Sequence, residues 1–283
     1  MQALDFLWTK EVERSPLVDL REHVIRLCYA ADEIKRRLGD DAWASVSNNL
    51  HMAASLRDVA ADADLRGSSF LCSTAADYEE SLSELTRRHL GGSIAFNLCW
   101  TAYEGAVEIA SAPLSLRGPK GARGRNLIRT LDGASRFPYL RRCVDASARF
   151  FDTSTRDLAE FRRLMSTDEF APGGAELMRH FRNKVVHGAF ERPEPGGWGP
   201  GSDYEADEDE SVVCFRHHTR LVLLLSQVLM IGAVGPELVI PRWFGLRDGS
   251  EQHLGGELAP AYEVLARLHF HEQTLPLFPE MPN

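Results

Sequence analysis

The chain has 283 residues, 44% of them hydrophobic and 26% charged, enough for one large core or two modest ones. Its formal net charge of -9 excludes broad, nonspecific coating of nucleic acid, while leaving room for a local basic groove. The five cysteines, Cys28, Cys72, Cys99, Cys143 and Cys214, form no C-x-x-C pair and are expected as free, mostly buried thiols of a reducing compartment.

From Met1 to Glu11 there is neither a basic n-region nor a sustained apolar run, so no secretory signal and a cytoplasmic location are expected. Leu17, Leu20, Val24, Leu27, Cys28, Ala31, Ile34 and Leu38 then recur at helical spacing, with Gly39-Asp40 as a stop. Asp41 suits the cap of a second helix running to about Ala63, and a third segment runs from about Ser69 to Leu90. The polar half of that third segment, with Asp77, Glu79, Glu80, Glu84, Arg87 and Arg88, reads as a solvated face. Residues 1–89 thus read as an N-terminal helical region, a scaffold or partner-binding part without chemistry of its own.

Gly91-Gly92 are expected to break or kink the path before a helix from Ser93 to Ala110. That helix has two apolar rows, Ile94, Leu98, Gly105, Ile109 and Phe96, Trp100, Tyr103, Val107, which suits the inside of a bundle. Between them runs the polar stripe Asn97, Thr101, Glu104, Glu108. A carboxylate on so apolar a helix needs a partner or must neutralise, and a structural arginine is the plainest partner for Glu104.

Pro113 to Gly124 is turn-rich and reads as a loop. It lacks the G-x-x-x-x-G-K-[ST] pattern and follows a helix, so it is no phosphate-binding P-loop. From 117 to 149 nine basic residues face two acidic ones, Asp132 and Asp145, a local balance of +7 in an acidic chain. Arg117, Lys120, Arg123, Arg125 and Arg129 are the candidates there for docking an RNA backbone, with a solvated charged face as the alternative for any one of them.

A short helix from Asp157 to Met165 and a turn from Ser166 to Gly174 lead into the stretch Met178-Arg179-His180-Phe181-Arg182-Asn183-Lys184-Val185-Val186-His187-Gly188. It reads as the last turns of a helix closed by Gly188, the residue type that most easily takes the left-handed cap. At roughly 100° per residue, Leu177, Met178, Phe181 and Val185 make a core face. Glu176, His180, Asn183 and His187 fall within about 60° on another face, and a structural helix has little use for such a stripe.

The following loop, 191–211, is rich in Pro and Gly and then acidic; it reads as a solubilising insertion or as a cover for the basic region. Val212 to Phe215 suits a short strand or the start of the helix that His217 to Val234 completes. The run from Leu221 to Val234, interrupted by Ser226 and Gln227, is too short to span a bilayer and reads as a buried core helix, so no membrane partner is expected. His217-His218 and His269-Phe270-His271 have no acidic or Cys ligand at metal spacing, so neither a metal nor another cofactor is expected. Residues 236–283 read as an extension with one helix, Glu257 to Phe270. No strand pattern is strong, and the fold class is all-α: an up-and-down helical bundle over residues 90–235 with added helices on either side.

Arg182-Asn183-x-x-x-His187 resembles the Arg-Asn-x-x-x-His signature of the HEPN superfamily, and Trp100 with Glu104 four residues on resembles that family's aromatic-rich helix. The resemblance covers about residues 90–235. It implies a helical domain that cleaves RNA without a metal, acting as a defence or toxin effector and held in check by an inhibitory protein such as an antitoxin. It also implies Arg182, Asn183 and His187 as catalytic residues, with Glu104, His180 and Asn97 in support. Imidazole as a class changes charge near neutral pH, which suits His187 to proton transfer, and a guanidinium suits Arg182 to phosphate oxygens. The two are five residues apart, about 140° round an ideal helix. Dimerisation across one cleft, as the resemblance implies, removes that difficulty. The alternatives are a non-catalytic module binding RNA or a nucleotide, and a pure interaction protein.

Overall fold

The computed structural model describes residues 16–62, 73–114, 120–131, 133–188, 190–191, 194–195, 210–242 and 258–271. Expectations for Arg117, Cys72, the N-terminal segment and most of the acidic insertion fall outside these residues. The described part is an all-α helical bundle with a single two-stranded ladder.

Helix α1 spans Leu20–Leu38. Asp19 caps it, its carboxylate accepting the Glu22 N–H at 2.6 Å, and Gly39 ends it in the left-handed region. Helix α2 spans Trp43–Ser55 and stops eight residues earlier than the pattern suggested. Asp41 is not its cap: Ala42 holds that position without a side-chain bond, and the neighbouring Asp40 carboxylate accepts the Ala42 N–H at 3.0 Å.

Helix α3 is continuous over Ser73–Ser111, so Gly91-Gly92 neither break nor bound it. Its 39 residues span roughly 60 Å, and the boundary expected between 89 and 90 lies inside it. Gly92 is there for proximity. A Cβ on Gly92 would stand 2.6 Å from Cδ2 of Phe215, so a hydrogen at this position lets the neighbouring helix come close. The packing gained offsets the roughly 1 kcal/mol that a glycine costs in a helix.

The expected loop before Gly124 instead contains the start of α4, Lys120–Thr130. After a 3-10 turn at Ala134–Arg136 come α5, Leu140–Ala148, and α6, Ala159–Ser166. The motif helix α7 spans Phe170–Val186 and takes in Pro172, Gly173 and Gly174, residues that the sequence pattern assigns to a turn. A proline in the first turn costs no hydrogen bond, because those N–H groups have no partner in the helix. Helix α8, Glu210–Ala233, absorbs the segment from Val212 to Phe215 and is buried along most of its length.

α3 packs along α8, α1 and α2 lie against one another with α2 also on α3, and α4, α5 and α6 each pack on α7. One contiguous core joins Leu20, Trp43, Phe96, Leu127, Phe181, Phe215 and Leu265. No described helix is long and apolar enough to cross a membrane.

The C-terminal part departs from the expected single helix. Strand β1, Val239–Pro241, pairs antiparallel with β2, Leu258–Pro260, which puts Ile240 and Ala259 into the core. The helix that follows, α9, covers only Ala261–Leu265. The Leu265 carbonyl that would carry it on accepts Nε2 of Gln227 on α8 at 2.5 Å instead. Gln227 belongs to a buried relay. The Arg220 guanidinium donates to Nδ1 of His23 at 2.9 Å, which leaves the His23 proton on Nε2 to donate to Oε1 of Gln227 at 2.6 Å. Nε2 of Gln227 also reaches Nδ1 of His269 at 3.2 Å. Backbone bonds then tie the Val18 N–H to the His269 carbonyl and the His271 N–H to the Pro16 carbonyl, at 3.0 and 3.1 Å.

Candidate functional site

The motif helix ends as its residues dictate. Leu177, Met178 and Phe181 are buried, Val185 packs against the core, and Gly188 follows with φ +68°. Phe181 stacks on His218 at 3.8 Å between ring centres, and Nζ of Lys184 sits 4.7 Å above the Phe151 ring. The end of α7 is therefore held by its apolar side, and its polar side is presented outward.

That polar side splits in two. Ala175, Arg179, Arg182 and Asn183, spaced i, i+4, i+7 and i+8, line a cleft of about 350 Å³. The facing wall comes from α3, with Trp100, Tyr103, Glu104, Val107 and Glu108, and the end wall from the first turns of α4, with Gly121, Arg123, Gly124 and Arg125. The fit is close: a Cβ on Gly124 would lie 2.2 Å from the Tyr103 hydroxyl. Arg182 and Asn183 thus share the cleft, their side chains 3.5 Å apart from Nη1 to Oδ1. His187 is not among the residues lining it. It is the exposed C-cap of α7, its N–H donating to the Asn183 carbonyl and the Gly188 N–H to the Val185 carbonyl.

His180 turns away as well. Its Nε2 lies 2.9 Å from Nη2 of Arg179 and 3.3 Å from Oε1 of Glu176. Arginine only donates, so this nitrogen either accepts from Arg179 or donates to Glu176. Asn97 is spent on its own helix, Nδ2 donating to the Ser93 carbonyl at 2.8 Å, and does not line the cleft. Of the three expected supporting residues, only Glu104 is at the site.

Glu104 corrects a second expectation. It is exposed rather than buried, and it has no ion pair among the described residues; Glu108, one turn on, is also exposed on the cleft wall. The buried carboxylate of the region is Glu176. Its side chain is only 3% exposed, and it bridges Arg179 at 2.6 Å and Arg125 at 3.1 Å. Burial pushes its carboxyl up. Hydrogen bonds from His180 and Arg179, with the charges of Arg179 and Arg125, outweigh that and hold it at about 2.

The basic segment is correspondingly less free than its local charge implied. Arg125 meets Glu176 and, at 3.5 Å, Glu160; Arg129 meets Glu169 at 2.5 Å; Arg141 meets Asp168 at 3.1 Å. These acids lie on or beside α6 and α7, far along the chain, where a local count does not see them. Arg123 is different. Its Nε is buried without a hydrogen-bond partner, and among the described residues it has no carboxylate. The Trp100 Nε1–H, on a side chain that is 7% exposed, is a second buried donor without a partner at the same cleft. Lys120 opens α4, its side chain lying outside what is described.

Arg179 is the site residue that the sequence reading missed, although the row Ala175, Arg179, Arg182 has the spacing that signals it. Among the described residues no three His, Cys, Asp or Glu side chains gather as a metal would require. No family model matches the chain, and neither curated proteins nor solved structures yield a match.

Proposed function

We propose that this protein is a metal-independent endoribonuclease of the HEPN type, working as a homodimer, in defence or as a toxin restrained by an inhibitory protein. The observation that supports it is the division of the motif. Arg182 and Asn183 face a cleft with Arg123, while His187 stands exposed at the end of the same helix, free to meet a second copy. RNA would lie along the cleft with a phosphate on the Arg182 and Arg123 guanidiniums, whose fixed donors match its oxygens. The imidazole of His187 removes the proton from the ribose 2′-hydroxyl. The 2′-oxygen attacks phosphorus, the bond to the 5′-oxygen breaks, and that oxygen takes up a proton from solvent as it leaves, while the imidazolium returns its proton to solvent. The products are a 2′,3′-cyclic phosphate and a 5′-hydroxyl. Arg182 balances the charge that grows on the non-bridging oxygens.

The test is to incubate wild type and His187→Ala with RNA in EDTA and map the 3′ ends. Fragments ending in cyclic phosphate from wild type alone are expected. Equal fragments from both proteins would overturn the assignment. Composite sites across a two-fold axis further predict that His187→Ala mixed with Arg182→Ala regains cleavage that neither has alone.

A second reading is a non-catalytic module that binds RNA or a nucleotide, and it draws on the same geometry: within one chain the cleft holds cations and an amide but no imidazole. It predicts binding that survives His187→Ala, with no new ends.

A further inference from the structure

The cleft has two walls of opposite chemistry that do not satisfy each other. On one side stand Arg123 and Arg182, neither with a carboxylate partner among the described residues. On the other stand Glu104 and Glu108, one helical turn apart on α3, neither with a cationic partner there. Cations and anions left apart across a cleft of about 350 Å³ are arranged for a ligand that presents an anion to one wall and hydrogen-bond donors to the other. The buried, partnerless N–H groups of Trp100 and Arg123 point the same way, because a buried donor without an acceptor is costly unless a ligand supplies one.

We propose that this cleft binds a guanosine monophosphate unit, the phosphate on Arg123 and Arg182 and the base on Glu104. An ionised carboxylate only accepts hydrogen bonds, and side by side its two oxygens ask for two adjacent donors. Among the four RNA bases only guanine offers that pair, N1–H and the N2 amino group on its Watson–Crick edge. Adenine and cytosine each present one amino group beside an acceptor, and uracil a single N–H between two carbonyls. An unstacked base read on that edge is how proteins recognise single-stranded RNA by sequence. Glu108 lies further along the same wall and serves the ribose hydroxyls. The inference deepens the ribonuclease reading, on which it rests for the RNA form of the ligand; the binding itself does not require cleavage.

The experiment is equilibrium binding of GMP, AMP, CMP and UMP to the full chain by calorimetry. GMP is expected to bind roughly 5- to 150-fold more tightly than the others, the discrimination of one bidentate base contact. Glu104→Gln should bring GMP down to the level of AMP while leaving AMP unchanged, and Arg123→Met should weaken all four alike. Equal affinities, a guanine preference that survives Glu104→Gln, or no binding of any mononucleotide would each overturn the proposal. Competition with an oligoadenylate carrying one internal G identifies the source. Displacement of GMP by that oligonucleotide, and not by pure oligoadenylate, assigns the site to RNA; no displacement assigns it to the free nucleotide. A guanine preference with no RNA cleavage would remove the ribonuclease reading and leave this one standing.

Discussion

Glu176 shows how a single residue decides what the site can be. Its carboxylate occupies Arg125 and Arg179 and leaves Arg123 and Arg182 as the cations open to a ligand. Replacing it by glutamine should cost about 1–3 kcal/mol, the penalty for removing the counter-charge and charged hydrogen bonds of two partly buried cations, read as a lower denaturant midpoint. Its carboxyl is held below the ordinary value of 4.5, at about 2, so the unfolded chain takes up the proton first. The stabilisation it gives is complete above about pH 4.5 and is lost as pH falls towards 2. None of this was visible in the motif itself, since the bond to Arg125 joins residues 51 positions apart. What could be read was the row on the helix. Arg182 and Asn183 were named from six residues, whereas Arg179 sits one turn back on a row hidden beside the Glu176, His180, Asn183 and His187 stripe.

At the scale of elements, α3 carries the main lesson. Its two apolar rows announce a buried helix, and the row of Phe96, Trp100, Tyr103 and Val107 is buried, whereas on the other row Ile94 is exposed and Leu98 and Ile109 are only partly covered. The double glycine nevertheless misleads, because a glycine that ends a helix and one that admits a neighbouring ring look alike in sequence. Gly92→Ala separates the two meanings. Propensity alone would stabilise the helix by about 1 kcal/mol, but the new methyl group collides with Phe215, so a net loss of about 1–3 kcal/mol is expected on thermal melting. A gain in stability would mean that the contact with α8 yields freely. The C-terminal helix failed for two reasons: Pro260, inside the stretch from Glu257 to Phe270, is a local breaker that apolar periodicity passes over, and the claim of Gln227 on the Leu265 carbonyl is a tertiary matter. Ends set by the chain itself, such as Gly39 after α1 and Gly188 after α7, were legible because the left-handed turn there is a local requirement.

Three imidazoles, those of His23, His218 and His269, are buried in the core of the molecule. Burial, then the charges of Arg220 and His269, push His23 well below its ordinary value; burial, then Arg220, takes His269 to about 3; burial takes His218 to about 3. In the unfolded chain all three accept a proton near pH 6.5. Between about 6.5 and 3 the unfolded state therefore binds more protons, and stability falls as pH is lowered, by up to about 1.4 kcal/mol per pH unit for each group. Urea midpoints at pH 7.5 and 5.5 should differ accordingly, with the lower value at 5.5; equal midpoints would show that these rings titrate freely. The relay that holds two of these rings also has a consequence in time. Residues 16–18 of the chain complete their bonding with residues 269–271, so during synthesis α1 waits for the last described segment. Until then His23 and Arg26 of α1 lack the acceptors and backbone carbonyls they use in the finished fold. Closing so long a loop comes late in folding. On the ribosome, then, α1 stays unsealed until residues 269–271 have emerged, and a chaperone that recognises α1 would have that interval in which to act.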